Sequence, residues 1–510
     1  MKWLNDIADE VIKQQPEGEL TVSSGVSPSG TYHLGTLREV LTAEAIMWEL
    51  KRRGRQSRHL HVVDDLDVFR KIPKGLPESY SKYLGQPLCD IPAPDNSDRS
   101  YADYYLADLL DAAKPMGLEM EVIRSHKNYR EGFYVPAIEQ ALTNTGEIKD
   151  ILQEVSGREL DKQFSPIQII ENGYLKTRQF VRMDVITKTL VYIDQDGKEQ
   201  TIAYDKGQVK LNWRIDWPAR WWLMEVKVEP FGRDHATKGG SYDTGAAIAK
   251  DVFGAQPPIP VPYNFINKTG DTKKMSKSAG DTVTAAELIK VLPSEVVWFF
   301  VLRYGPEKTL FFDQGPTLIK LVDEFSELLA KPSKTDEEQQ LIDLCLHGSK
   351  TSTVSRIPFS HLVASYQAAL KDPAKTLEII ERTEHAEIVQ TDAETIKNEL
   401  TYIDEWLKNW APEDVKFELA GQVNASQFSD RQKKFLAELA NKIEQAPKDA
   451  DGQWFHQAMY DLKDEVGMEP KEMFQTLYQA LIAKSSGPRA GWFLSILPRN
   501  WLLPRLRLQK

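Results

Sequence analysis

The chain has 510 residues, with 64 Lys and Arg against 75 Asp and Glu and a formal charge of −11; a length of this order accommodates roughly three or four domains of ~100–200 residues. That balance excludes a chain-wide cationic coat for nucleic acid but leaves room for a local basic groove. The two cysteines, Cys89 and Cys345, exclude a disulfide framework and a cysteine-rich zinc knuckle. No apolar run approaches the ~18 residues of a membrane span, and the opening residues, Met1 to Asp6, lack a signal-peptide core. The expectation is a cytoplasmic, multidomain protein with no membrane contact.

The first third alternates strand and helix. Leu20 to Ser24 is a short β-type run that ends at Gly25, and a turn-rich connector follows from Val26 to Thr36. Leu37, Val40, Leu41, Ala45, Met47 and Trp48 then form an apolar stripe at helical spacing, closed by Gly54 as a C-terminal glycine. His59 to Val63 predicts a second strand that runs into Asp64 and Asp65. Strand, glycine loop, helix and strand are the start of a doubly wound parallel sheet, whose ligands sit at the carboxyl ends of the strands. From about 145 to 215 the pattern changes. Val181 to Ile193 and Gln200 to Tyr204 are β-rich around Asp196-Gly197, a hairpin signal that predicts an antiparallel insertion. Val226 to Pro230 resumes a strand, Gly239-Gly240 leads into a helix through Ala246, Ile248 and Val252, and Val261 to Ile266 is a further strand candidate. Beyond about 320 only helical spacing remains. It is carried by Leu318, Leu321, Val322, Phe325, Leu328 and Leu329, and again by Ile396, Leu400, Ile403, Leu407 and Trp410. Phe435, Leu436, Leu439 and Ile443 repeat it, as do Phe474, Leu477, Tyr478 and Leu481.

Two segments carry chemistry. In the first loop, Pro28, Gly30 and Gly35 shape the backbone and His33 stands just before the predicted helix, whose N-terminus offers free N–H groups and a positive dipole end. Histidine there can donate to a developing phosphate charge. The second segment is Lys273-Lys274-Met275-Ser276-Lys277-Ser278-Ala279-Gly280, a cationic loop whose lysines at i and i+3 can converge on a pyrophosphate.

Lys274 to Ser278 matches the KMSKS signature of class I aminoacyl-tRNA synthetases, and His33-Leu34-Gly35-Thr36 resembles their HIGH signature in the expected loop. An exact pentapeptide arises by chance on the order of once in several thousand chains of this length. Asp216-Trp217-Pro218-Ala219-Arg220-Trp221 resembles a segment of the glutamyl and class I lysyl subgroup. Gly232-Arg233-Asp234-His235, Gly239 to Asp243, Asp64 to Pro73 and Gly487 to Leu494 resemble class I lysyl-tRNA synthetase. The quoted segments span nearly the whole chain.

The resemblance implies a lysine–tRNA ligase that uses ATP, Mg²⁺, L-lysine and tRNA(Lys), with tRNA required before lysine is activated efficiently. The implied fold is α/β, a Rossmann-like doubly wound parallel sheet with an inserted β-hairpin-containing domain, followed by an all-α anticodon-binding region. The expected parts are catalytic halves at 1–144 and 216–283, an acceptor-end insertion at 145–215, a helical junction at 284–345 and an anticodon-binding domain at 346–510. The resemblance assigns catalysis to His33, Gly35, Thr36, Lys274 and Lys277. ATP contacts fall to Pro28, Ser29, Gly30, His33, Gly35, Lys274, Met275, Ser276, Lys277 and Ser278. Candidates for the lysine pocket are Gly25, Ser27, Trp213 or Trp217, Asp234, His235, and Tyr242 or Tyr263. Asp64, Asp65 and Asp67 either orient an ammonium or tie down Arg70 and Lys71, the second being preferred. Many family members carry Cys/His zinc positions in the insertion; Pro166 to Tyr174 here has no cysteine, so no structural zinc is expected. Arg489, Arg499, Arg505, Arg507 and Lys510, interleaved with Trp492, Phe493 and Trp501, are an RNA-contact candidate or the seal of the helical core. Three other readings remain: a glutamyl- or glutaminyl-type synthetase, a small-molecule nucleotidyltransferase, and a non-catalytic tRNA-binding paralogue.

Overall fold

The computed structural model describes residues 1–157, 159–161, 164–270, 283–349, 351–447 and 450–509. Two compact units divide the chain: Met1–Ile289 with Trp298–Phe312, and Lys290–Val297 with Asp313–Lys510.

The first unit begins with α1 (Lys2–Gln14), β1 (Leu20–Val26), α2 (Leu34–Arg52), β2 (Ser57–Val63), α3 (Tyr101–Ala113) and β3 (Glu121–Arg124). Helices α4 (Ser125–Arg130), α5 (Val135–Thr143) and α6 (Thr145–Ser156) lead to six short strands. These are β4 (Ile167–Glu171), β5 (Tyr174–Thr177), β6 (Gln179–Asp184), β7 (Thr189–Ile193), β8 (Glu199–Ala203) and β9 (Val209–Leu211). Then come α7 (Trp213–Leu223), β10 (Val226–Gly232), α8 (Ser241–Asp251) and β11 (Ile259–Tyr263).

The central sheet has the order β11-β10-β1-β2-β3, and every neighbouring pair is parallel. Its three inner strands, β10, β1 and β2, are buried along most of their lengths, as a sheet covered on both faces requires. The chain passes from β1 to β2 and β3 on one side, and later to β10 and β11 on the other. The carboxyl ends of β1 and β10 therefore flank a topological switch point, where such sheets open a crevice. Helix α2 is buried on most of its circumference, polar residues included. Two of its buried charges have partners within the fold. Arg38 donates to the Phe265, Pro306 and Lys308 carbonyls at 3.4, 3.0 and 2.6 Å, and Glu44 bonds His59 at 2.8 Å.

The insertion contains two antiparallel sheets, β5-β4-β9 and β6-β7-β8. The Asp196-Gly197 turn joins β7 to β8, with Asp194 Oδ1 accepting from the Asp196 and Lys198 N–H groups at 2.9 Å each and Gly197 at φ +78°. Ile167, Ile169, Leu190, Tyr192, Val209 and Leu211 share a core with Ile138, Ile148 and Leu152. The stretch from 145 to 156 is helical rather than β, because Ile148, Ile151 and Leu152 fall on one helical face.

The second unit is helical throughout its described elements, with long helices at Pro316–Ala330, Ala386–Asn409, Asp430–Glu444 and Pro470–Ile482. Phe435, Leu436, Leu439, Ile443, Leu477, Leu481, Phe493 and Leu494 form its core. Thr335 with Glu338 and Ser429 with Gln432 close capping boxes at helix starts. Among the described residues, no helix is long and apolar enough to cross a membrane.

Candidate active site

The loop after β1 is locked to its surroundings. Tyr101 donates to the Ser29 carbonyl at 3.0 Å. His33 caps α2 through Nδ1, which accepts from the Gly35 N–H at 3.0 Å. A neutral imidazole accepting at Nδ1 carries its proton on Nε2, so the ring keeps a donor. A Cβ at position 35 would lie 2.8 Å from His33 Cε1; glycine there is what lets the ring fold back on the helix start. Leu34 donates to the Val283 carbonyl at 3.2 Å, and Ala285 donates to the Tyr32 carbonyl at 3.1 Å. The chain that resumes at Val283 is thus tied to the His33 loop. Lys274, Met275, Ser276, Lys277 and Ser278 lie outside the described residues.

A cleft of about 400 Å³ opens at the switch point. Gly25, Ser27, Trp213, Trp217, Asp234, His235 and Tyr263 all line it. Trp213, Trp217 and His235 form an aromatic wall, with ring centroids 5.5–5.8 Å apart. Tyr242 does not line the cleft. Its hydroxyl donates to the Pro258 carbonyl at 2.7 Å and its ring stacks on Phe231 at 5.2 Å, so it supports the wall from behind.

Sequence reasoning passed over several cleft residues. Glu39, on α2, accepts from the Gly25 N–H at 2.8 Å and from the Tyr263 hydroxyl at 2.6 Å. Burial and the Glu39 charge push the Tyr263 phenol well above its ordinary value, so it remains a donor. Glu229 is raised by burial, against hydrogen bonds from the Trp217 and Trp221 indoles and from Ser23 at 3.4 Å. Arg220 bonds Asp64 and, at 2.5 Å, Asp216. A charged residue inside an apolar helical stripe, as Glu39 and Arg220 both are, is the signal that marks them.

The three aspartates after β2 have partners other than those expected. Asp64 pairs with Arg220, Asp65 with Arg124 at 2.5 Å and His126 Nδ1 at 2.6 Å, and Asp67 with Lys210. Arg70 acts on Asp67 only as a nearby charge. Burial raises Asp64 to about 6 although Arg220 opposes it. Burial also pulls Asp67 upward, but Lys210 outweighs it and holds the carboxyl below its usual range. Asp64 and Asp67 line the cleft; Asp65 is buried and fastens β3 and α4 to the end of β2.

In the helical unit a second pocket, of about 730 Å³, is lined by Phe474, Tyr478 and Trp492 with Lys471 and Arg489 at hand. Flat aromatic faces beside cations suit an unpaired nucleobase and its phosphate. The other C-terminal residues are structural. Arg499 donates to the Ala446 and Pro447 carbonyls, Arg507 pairs with Glu444, Arg505 stacks on Trp501, and Phe493 is buried. Lys510 lies outside the described residues.

A family model described as tRNA synthetases class I (K) matches residues 1–352, and one described as an anticodon binding domain matches residues 358–509. The switch-point cleft therefore belongs to a class I aminoacyl-tRNA synthetase, an enzyme joined here to a helical anticodon-binding domain. More narrowly, the chain is a member of the tRNA synthetases class I (K) family. It is 36% identical to a lysine–tRNA ligase of Archaeoglobus fulgidus, with 99% of each chain covered. It is 35% identical to lysine–tRNA ligase 1 of Methanosarcina acetivorans, covering 99% of this chain and 98% of the relative. A lysine–tRNA ligase of Pyrococcus horikoshii is 30% identical over 99% of each chain.

Proposed function

We propose that this protein is a lysine–tRNA ligase. The lysine carboxylate attacks the α-phosphorus of ATP, releasing pyrophosphate and forming lysyl-adenylate. The 2′-hydroxyl of the terminal adenosine of tRNA(Lys) then attacks the mixed anhydride and AMP leaves. No covalent enzyme intermediate is needed, so the chain's own contribution is positioning and charge stabilisation.

The observation that carries this reading is the charge of the cleft. Five carboxyl groups, on Glu39, Asp64, Asp67, Glu229 and Asp234, outnumber the two guanidiniums, of Arg70 and Arg220, that line it with them beside an aromatic wall, a chemistry suited to a substrate with ammonium groups and hostile to a second carboxylate. Glutamate, the alternative substrate, would bring its side-chain charge against these acids. The names of the full-length relatives agree with lysine.

In this reading the His33 Nε2–H donates to the ATP phosphates, Gly35 lets adenine approach the helix start, and Lys274 and Lys277 brace the departing pyrophosphate. Gly25, Ser27, Glu39, Trp217, Asp234, His235 and Tyr263 hold the amino acid. Mg²⁺ enters on the nucleotide's phosphates; among the described residues no group of three or more His, Cys, Asp and Glu is arranged to hold a metal ion. The aromatic pocket at Phe474, Tyr478 and Trp492 receives an anticodon base, and the enzyme works in the cytoplasm with its tRNA. The test is charging of total tRNA with ATP and either radiolabelled lysine or radiolabelled glutamate. Lysine incorporation is expected; glutamate incorporation in its place would overturn the reading.

A further inference from the structure

The segment Asp216 to Trp221 places a cation where the sequence offered only a family signature. Arg220 is buried, with its side chain 9% exposed, and its guanidinium is held along one edge. Nε donates to Asp216 Oδ1 one helical turn back, and Nη2 donates to Asp64 at the end of β2. Asp216, fully buried, accepts from the Tyr129 hydroxyl at 2.6 Å, and Asp64 accepts from Ser125 Oγ at 3.1 Å. Ser125 and Tyr129 both lie on α4. The contacts close a ring: α4 to Asp216, along α7 to Arg220, across to Asp64, and back to α4. The remaining guanidinium nitrogen, Nη1, lies 3.8 Å from where a Cβ on Gly25 would stand. One cation thus joins β2, α7 and the end of β1 at the switch point.

We propose that Arg220 is a positioning residue for the amino-acid substrate: the guanidinium clamped by Asp216 keeps Asp64 ionised and aimed into the cleft, where Asp64 receives an ammonium group of lysine. The proposal rests on the lysine reading above. Asp64 is the group on which such a clamp has most effect. It lines the cleft, and burial holds its carboxyl at about 6 even with Arg220 beside it. The charges facing it are Arg220 and Asp216 from α7, Lys210 from β9, and Asp67 from its own loop. Two are anions that disfavour ionisation and two are cations that favour it, and Lys210 is already bonded to Asp67. Without Arg220 the balance turns against the charged form of Asp64. Two carboxylates gripping a planar fork also fix the angle at which Asp64 presents its second oxygen, which a lysine side chain cannot reproduce.

The experiment uses the full chain and steady-state charging of tRNA, with lysine and ATP varied separately, for wild type, Arg220→Lys, Arg220→Gln, Asp64→Asn and the Arg220→Gln/Asp64→Asn double variant. Wild-type charging with lysine tests the functional reading by itself, so its failure is distinguishable from failure of the proposal. Arg220→Gln is expected to raise the lysine KM about tenfold or more while the ATP KM stays within about twofold. The pH midpoint of kcat/KM for lysine should move upward. The double variant should resemble Asp64→Asn alone, since a positioning residue acts through the group it positions. Arg220→Lys keeps a cation between the buried acids and guards against unfolding; it is expected to restore the pH midpoint but only part of the lysine KM. Equal rises in the lysine and ATP KM values, additive losses in the double variant, or an unmoved pH midpoint in folded Arg220→Gln would overturn the proposal.

Discussion

Tyr263→Phe isolates the clamp on Glu39. The substitution removes only the hydroxyl that donates to Glu39 Oε2 at 2.6 Å. The ring keeps its place, 8% exposed with the Arg38 guanidinium over its face. A hydrogen bond to a charged group contributes about 1.5–3 kcal/mol. If the lower end of that range is felt in binding, the lysine KM rises roughly tenfold, because ~1.4 kcal/mol is a factor of ten. The bond from the Gly25 N–H at 2.8 Å still holds one carboxylate oxygen, so Glu39 loses orientation while keeping its charge. Glu39→Gln removes the charge and should cost more than Tyr263→Phe. The assay is steady-state charging at saturating tRNA with lysine varied, then ATP varied, beside a thermal melt. The ATP KM should stay within about twofold, since the nucleotide is assigned to the His33 loop. An unchanged lysine KM in both variants, with both folded, would refute the assignment of Glu39 and Tyr263 to the amino acid.

Three further outcomes are expected. Ser24→Ala removes a buried hydroxyl bonded to His59 Nε2 at 2.7 Å and His61 Nδ1 at 2.8 Å; stranding two buried imidazoles should cost about 1–3 kcal/mol, and an unchanged urea midpoint for the catalytic unit would contradict this. Glu399, buried in the helical unit and only partly relieved by the Ser355 N–H, is pushed up to about 8. Its folded value lies above the unfolded carboxyl's ~4.3, so the stability it contributes is full below that value and is lost as pH rises through 8. Glu399→Gln mimics the protonated acid, and its melting temperature should gain on wild type between pH 5 and pH 9; a constant difference would sink the argument. Lys277→Ala should reduce lysine activation at least about 100-fold, the scale of losing one transition-state donor, with the fold intact by circular dichroism; undiminished activation would remove Lys277 from the chemistry.

What could be read from the sequence was whatever is encoded locally. His33 before an apolar helical stripe announces a helix start, and the structure has His33 capping α2 through Nδ1. Asp196-Gly197 between β-rich runs announces a hairpin, and it joins β7 to β8. The partners of the acids could not be read, because they are set by packing across long separations. Asp64 meets Arg220 156 residues later, and Asp67 meets Lys210 143 residues later. Arg70 and Lys71 were nearer in sequence, but the turn after β2 directs Asp64 and Asp67 toward α7 and β9. Tyr242 was one of two equivalent tyrosines in the sequence; a carbonyl at Pro258 takes its hydroxyl, while Tyr263 ends the edge strand β11 at the crevice. The C-terminal cations divide for a similar reason. Arg499 and Arg507 find acceptors at the end of the Asp430–Glu444 helix and just after it, whereas Arg489 stands at a pocket.

The central claim is that the switch-point cleft selects lysine for attachment to tRNA. Its most direct test is to incubate the purified protein with total tRNA, ATP and a mixture of the standard amino acids, and then to identify both the esterified amino acid and the tRNA that carries it. The prediction is lysine alone, on tRNAs with lysine anticodons. Another amino acid on those tRNAs, or lysine spread without regard to anticodon, would contradict it.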